Sequence, residues 1–367
     1  MLGQHKLIID TFSEIYPMVR EYADDEFWDL SQHETVPGAV YVIGRQQYIN
    51  NRERVRNMAE SGEVQIVMSN PHEGSATLIG QLTHLGLLDL AQQQKILIVG
   101  GGDMPAEWPC LQYDKFLPEI LDYEENLTAI EQADEIYTKE TKPYKFLFLN
   151  GRERHHRRNL INHLKDILDQ SLWTNLDAGP GISKTLPPEY EVPRYQDTSN
   201  PVSEHRYVKF DLFKDEWGEI YLYSKPYVDT YFSLVTETVF EIPYSFRTEK
   251  IWKPIAMGHP WIAVANRGFY RDMHNLGFRT FGHVINESFD LIDNNQDRLA
   301  RIADVVRDLC QQNLVAFLRE CYNVCKYNQY HHREMAVRVR KEFPDRFSQF
   351  INERSRIPPA GAGQVIT

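Results

Sequence analysis

Short apolar runs, each followed by a stretch with helical periodicity, recur along most of the chain, and this alternation restricts the fold more than any other feature. The runs Ala39–Ile43, Val64–Met68, Lys95–Val99, Lys145–Leu149, Tyr207–Leu212, Tyr231–Thr236, Trp261–Ala265 and Arg279–Phe281 are mostly rich in Val, Ile, Phe and Tyr. Such side chains suit a half- or fully buried pleated surface, so these segments are expected to be strands. Tyr48–Ser61 is charged and amphipathic. Ser75–Leu88 carries Leu78, Ile79, Leu82, Leu85 and Leu88 at three- and four-residue spacing, and Arg154–Leu168 repeats the pattern. Strands alternating with helices imply an α/β fold with largely parallel sheets.

The alternation falls into two halves, about residues 36–140 and 145–290. Leu127–Pro143 reads as a helix followed by a linker. Leu176–Ser203, dense in Pro, Gly, Asp and Ser, reads as a long loop or insertion. From Asn295 the pattern is helical: Leu299, Ile302, Val306 and Leu309 form one stripe, and a basic helix with Arg333, Arg338 and Arg340 follows. The expected organisation is 1–140 as an N-terminal Rossmann-like domain, 145–295 as a C-terminal one, 296–357 as closing helices and 358–367 as a flexible tail. Two such domains imply a cleft, and ligands of open parallel sheets bind beyond the carboxyl ends of the strands.

Lys and Arg number 40 against 52 Asp and Glu, a net charge of −12. That balance disfavours a broad duplex nucleic-acid footprint and leaves room for a local basic pocket. No run of about 18 apolar residues is present, so no transmembrane helix is expected. The N-terminal stretch carries charges within its apolar part, unlike a signal peptide. Four cysteines are too few for a disulfide scaffold, and Cys321 and Cys325 read as buried thiols on one helix face. A reduced, cytoplasmic setting fits these features. His331-His332, with no third ligand indicated nearby, reads as part of a solvated face rather than a metal pair.

Two segments carry chemistry. In Phe146-Leu147-Phe148-Leu149-Asn150-Gly151-Arg152-Glu153-Arg154-His155-His156-Arg157-Arg158 a strand turns at Asn-Gly into a helix that opens with cations. Cations at a helix N-terminus oppose the macrodipole, a cost expected where an anion is bound. The alternative is a solvated basic helix start. In the second segment a strand ends on Glu237, and Thr248-Glu249-Lys250 opens a helix-like run with Thr248 as its N-cap. A carboxylate there can accept two ribose hydroxyls, and Lys250 can meet a pyrophosphate. A surface Glu–Lys pair is the plainer use.

The second segment resembles the donor-binding motif of the α1,3-fucosyltransferase family, in which a Glu at a strand end is followed by Thr-Glu-Lys opening a helix. Glycosyltransferase-like proteins of phages and bacteria are similar, with a run like Asn150–Arg157 and segments like Gly277-Phe278-Arg279-Thr280-Phe281 and Glu287-Ser288-Phe289-Asp290. The resemblance covers about Lys145–Arg301. It departs at Pro254, where the family continues the helix. Proline removes a helical hydrogen bond and clashes with the preceding turn, so the helix is expected to begin later or to kink.

The resemblance implies the two-domain GT-B fold, with a nucleotide-sugar donor bound by the C-terminal half and a carbohydrate or other hydroxyl acceptor by the N-terminal half. It implies inverting transfer without a metal or other cofactor, and the chain has no Asp-x-Asp at a strand end to hold a divalent ion. Arg152, Arg154 and Lys250 would stabilise the departing pyrophosphate, with Asn150, His155 and Thr248 around the donor and Glu237 and Glu249 holding hydroxyls. A general base is then needed from the N-terminal half. Glu73, between His72 and Gly74 in a strand-to-helix turn, is the first candidate, and Asp103 after Gly100-Gly101-Gly102 is the second. Competing readings are a non-catalytic binding protein that retains a nucleotide-sugar fold, and a glycosyltransferase acting on modified DNA bases.

Overall fold

Six of the eight apolar runs become strands buried on both faces, as parallel sheets covered by helices require. The computed structural model describes residues 5–176, 184–190 and 222–357. Six parallel strands form the first sheet: β1 (Lys6–Asp10), β2 (Asp25–Phe27), β3 (Ala39–Gly44), β4 (Gln65–Asn70), β5 (Ile96–Gly100) and β6 (Cys110–Gln112), in the order β2-β1-β3-β4-β5-β6. Ile9 pairs with Val42, Val42 with Val67, and Val67 with Leu97. One face carries Ile8, Tyr41, Ile66 and Ile98, packed with Val55, Met58, Leu78 and Leu82 of the helices Arg52–Ser61 and Ser75–Leu85. Four parallel strands form the second sheet: β7 (Phe146–Phe148), β8 (Ser171–Trp173), β9 (Phe232–Thr236) and β10 (Trp261–Val264), in the order β10-β9-β7-β8. Phe146 and Phe232 stack at 5.5 Å, and Trp252 and Trp261 are fully buried in the same unit.

The chain divides into two compact units, Met1–Lys115 with Ala336–Thr367, and Phe116–Met335. This division differs from the one read from the sequence. The first unit ends at Lys115, earlier than residue 140. The closing helices are not a separate body, because the helix Leu314–Arg354 contributes its residues to Met335 to the second unit and the remainder to the first. Among the described residues no helix is long and apolar enough to cross a membrane.

Several boundaries differ from the sequence expectation. Tyr48–Ser61 is two helices, Arg45–Asn50 and Arg52–Ser61, divided at Asn51. The helix expected to reach Leu88 stops at Leu85 because Gly86 takes a left-handed conformation, φ 68°. Arg279–Phe281 is not a strand. The Asn328 side chain occupies both backbone groups of Arg279, accepting from its N–H at 2.9 Å and donating to its carbonyl at 2.8 Å, where a neighbouring strand would otherwise pair. The Glu287 carboxylate accepts from Phe281 N–H and Thr280 Oγ1, both at 2.7 Å, so two of the resemblance segments form one structural staple. His332 is wholly buried rather than solvated: it stacks on Trp252 and its Nε2 meets the Leu117 carbonyl at 2.7 Å. Burial holds this imidazole down at about 4, well below the usual histidine range. Tyr207–Leu212, most of Leu176–Ser203, and 358–367 lie outside the described residues.

Candidate functional site at the carboxyl edge of the second sheet

From β7 the chain moves outward to β8 on one side, and β9 lies on the other, so the order of the second sheet reverses between β7 and β9. A crevice at such a point is the usual ligand site of an open parallel sheet. Asn150 follows β7 and is 1% exposed. Its Oδ1 accepts from Thr236 Oγ1 at the end of β9, at 2.7 Å, which ties the two strand ends together. Its backbone N–H donates to Thr174 Oγ1 at 2.8 Å, and that hydroxyl donates back to the Asn150 carbonyl at 3.0 Å. The amide Nδ2 is buried and has no hydrogen-bond partner among the described residues.

The helix His155–Leu164 begins beyond Asn150 with Arg154 as an N-cap that makes no side-chain cap bond. Its first turn is anchored by two residues that the sequence did not single out. Arg157, 3% exposed, donates to the carbonyls of Arg152 at 2.8 Å and Thr236 at 2.9 Å. His156 Nε2 lies 3.0 Å from the Glu237 carbonyl, so the ring is neutral and donates from that nitrogen. Burial, reinforced by the adjacent Arg157, holds its pKa down at about 3. Burial and then Arg154 pull Arg157 down to about 10, with Glu237 working the other way, and at neutral pH it remains a cation. Anchors of this kind are legible in retrospect as polar residues at buried helical spacing before Leu160 and Leu164.

Glu237 closes the other side. It is fully buried, its Oε1 accepts from Thr248 N–H at 3.1 Å, and its Oε2 accepts from Thr248 Oγ1 at 2.7 Å. Burial raises its pKa, and Lys250 opposes the shift. Thr248 is the N-cap of the helix Glu249–Ala256, its hydroxyl accepting from Lys250 N–H at 3.3 Å. The helix starts at Glu249 with Pro254 inside it, so the proline does not delay its start. Lys250 Nζ bonds Glu249 Oε1 and lies 3.2 Å from Thr248 Oγ1. Burial pushes the Glu249 carboxyl up, but the ammonium groups of Lys250 and Lys253 outweigh it and the net shift is downward.

The structure thus brings Asn150, Glu237, Thr248, Glu249 and Lys250 to one strand-end cluster with His156 and Arg157. Arg152 and His155 are exposed and Arg154 is half-buried on the same helix entry. Glu73 and Asp103 belong to the first unit. Glu73 is half-buried, and its carbonyl accepts from Gly101 N–H at 3.0 Å. Among the described residues no group of three or more His, Cys, Asp or Glu side chains is placed to hold a metal ion. In comparisons with protein-family models, curated proteins and solved structures, nothing matched the chain.

Proposed function

We propose that the protein is a glycosyltransferase of GT-B type that moves a sugar from a nucleotide-sugar to an acceptor hydroxyl with inversion, the diphosphate being met by side chains rather than by a metal ion. The observation that carries this reading is the reversal point between β7 and β9. There a buried amide donor, Asn150 Nδ2, has no partner among the described residues, and two helix entries supply Arg152, Arg154 and Lys250. Charge-assisted contacts to diphosphate oxygens are worth about 1.5–3 kcal/mol each. Cations already fixed where charge develops on the leaving group lower the barrier without reorganising. Two parallel-sheet units in one chain are also what this fold type requires.

The roles divide by geometry. Both Glu237 oxygens are engaged by Thr248, so Glu237 seats the helix and orients its N-terminus. Glu249, one residue on and ionised, is the carboxylate suited to ribose or sugar hydroxyls. The test is a panel of uridine, guanosine, cytidine and thymidine nucleotide-sugars, followed by thermal unfolding and by slow donor hydrolysis. The reading expects one nucleotide class to raise the unfolding temperature by several degrees and to be hydrolysed. Stabilisation without any turnover would favour a binding protein, and no stabilisation by any donor would refute the reading.

A further inference from the structure

Buried polar atoms without a partner concentrate at one place in the first unit, the carboxyl edge of its sheet. Glu14 follows β1 and His72 follows β4, and His72 Nδ1 lies 3.3 Å from Glu14 Oε1. Within three residues of this pair stand Ser13 Oγ, Glu14 Oε2, Ser69 Oγ, Asn70 Oδ1 and Ser75 Oγ, each buried and without a hydrogen-bond partner among the described residues. Ser13, Ser69, Asn70 and Ser75 are at most 3% exposed. Folded proteins leave few such atoms, because each has given up its bonds to water, and a group of them in one loop cluster calls for an explanation. The topology brings them together. Ser69 pairs with Gly44, so its side chain leaves the sheet on the face where Gly44 has none. A Cβ on Gly44 would stand 3.1 Å from Ser13 Cα, so the loop after β1 lies directly on that face. Asn70 leaves β4 on the opposite face. Its Nδ2 donates to Tyr48 Oη at 3.0 Å and to Gln81 Oε1 at 3.2 Å, and Oδ1 is left over. Ser75 opens the helix Ser75–Leu85, whose N-cap is Gly74, with no side-chain cap bond.

The atoms themselves select the ligand. Asn70 Oδ1 and Glu14 Oε2 only accept, whereas the three serine hydroxyls donate and accept. A phosphate dianion or a carboxylate brings only acceptors and leaves those two oxygens unpaired. An ammonium only donates and leaves the serine hydrogens without an acceptor. A hydroxyl does both and matches the whole set. We infer that this edge, at Ser13, Glu14, Ser69, Asn70 and Ser75, is a binding site for a small neutral polyol, whose hydroxyls donate to Asn70 Oδ1 and Glu14 Oε2 and exchange hydrogen bonds with the serines. The five atoms are covered in this structure. Entry is past Glu14 and His72, whose side chains keep 17% and 36% exposure, and it requires the loop that carries Ser13 and Glu14 to move aside. The inference is read within the first unit alone and does not depend on the transferase reading.

The experiment titrates inositol, glucose and mannitol at millimolar concentration into the full chain, with inorganic phosphate and ethanolamine as probes of the two rejected chemistries. Amide chemical shifts report binding, and thermal unfolding without ligand reports stability. At least one polyol is expected to give saturable shifts at the amides of Thr11–Ile15 and Ser69–Ser75, with phosphate and ethanolamine inert there. Ser69→Ala and Ser75→Ala should each bind that polyol about 2–10-fold more weakly, the loss of one neutral hydrogen bond. Without ligand both should unfold at the wild-type temperature or above it, because the hydroxyls removed leave no partner unpaired. A purely structural serine would instead lose stability and keep the affinity. The inference is overturned by the absence of a saturable shift at these amides with every polyol, by stronger shifts there with phosphate or ethanolamine, or by unchanged affinity in both variants. None of these readouts involves a nucleotide-sugar, so this inference and the transferase reading fail separately.

Discussion

The two sheets solve the same topological problem with different closing groups. In the first, order reverses between β1 and β3, and the point is closed by Asp10, whose Oδ2 accepts from Gly44 N–H at 3.0 Å. In the second, it reverses between β7 and β9, and neutral groups tie the strand ends, Thr236 Oγ1 to Asn150 Oδ1. The surroundings differ accordingly. Asp10 ends β1 and Glu14, Glu73, Asp103 and Lys115 follow strands of the first sheet, whereas at the second Arg152, Arg154, Arg157 and Lys250 gather with Glu237 and Glu249. On the transferase reading proposed above, the anionic donor would be met by the cations of the second edge. The contrast shows that a parallel sheet supplies the position of a site, while the residues that gather beyond its strand ends decide its chemistry.

The comparison breaks most visibly at the two closing carboxylates. Glu237→Ala leaves the Thr248 N–H and hydroxyl unpaired in a buried place beside Lys250 and Arg157, and should cost about 3–5 kcal/mol. Asp10→Ala gives up bonds from Gly44 and Phe12 N–H. No cation opposes its burial as Lys250 does for Glu237, and Glu14 is its charged neighbour, so its loss should cost less, about 1–3 kcal/mol. Urea unfolding of both variants decides it, and equal losses would mean that the second edge is no more dependent on its carboxylate than the first.

Acid should separate the units next. His156 and His259, held by burial at about 3, and His332 at about 4 all lie in the second unit, against a lowered His5 in the first. These groups bind protons in the unfolded chain below about 6.5 but not in the folded one. Their stabilising contribution is therefore complete above that pH and is lost as pH falls toward their folded values. From pH 6.5 to 5.5 each costs on the order of 1 kcal/mol. Glu237, Glu287 and Asp290, with raised values, oppose this in the second unit, and Asp10 does so in the first. Amide exchange at the two pH values should show the second unit opening first, and the reverse order would contradict the assignment of these imidazoles as buried and neutral.

Gly44→Ala sharpens the picture of the first edge. A Cβ there would lie 2.8 Å from Asp10 Oδ2 and 3.1 Å from Ser13 Cα. Because Ser13 Cα is backbone, trimming Asp10 does not make room, and a loss of about 1–3 kcal/mol should persist in the Asp10→Ala background. Full rescue by Asp10→Ala would show that only the carboxylate is crowded.

What the sequence revealed follows the length of each apolar run. The strands β3, β4, β5, β9 and β10 have four to six buried residues apiece, and each lies within or overlaps an expected run. β2, β6 and β8 have three residues each, too few for either periodicity to register. β1 lies outside the expected runs although Leu7, Ile8 and Ile9 are buried, because Lys6 and Asp10 leave only three apolar residues between them. In the site, Thr248 as N-cap and the cationic helix entry were legible from residue type and position. The tie between Asn150 and Thr236 was not, since it spans 86 positions. Nor was the pairing of Glu14 with His72, 58 apart, which depends on a strand order that periodicity does not encode.

The most direct measurement is calorimetric titration of the stabilising nucleotide-sugar, and of its nucleoside diphosphate, into wild type, Lys250→Ala and Arg152→Ala. Each variant should bind at least about tenfold more weakly, the loss of one charge-assisted phosphate contact, with an unchanged unfolding temperature in the absence of ligand, while the wild type should keep its activity in EDTA. Unchanged affinity in both variants would place the diphosphate elsewhere and contradict a donor site at the β7–β9 reversal.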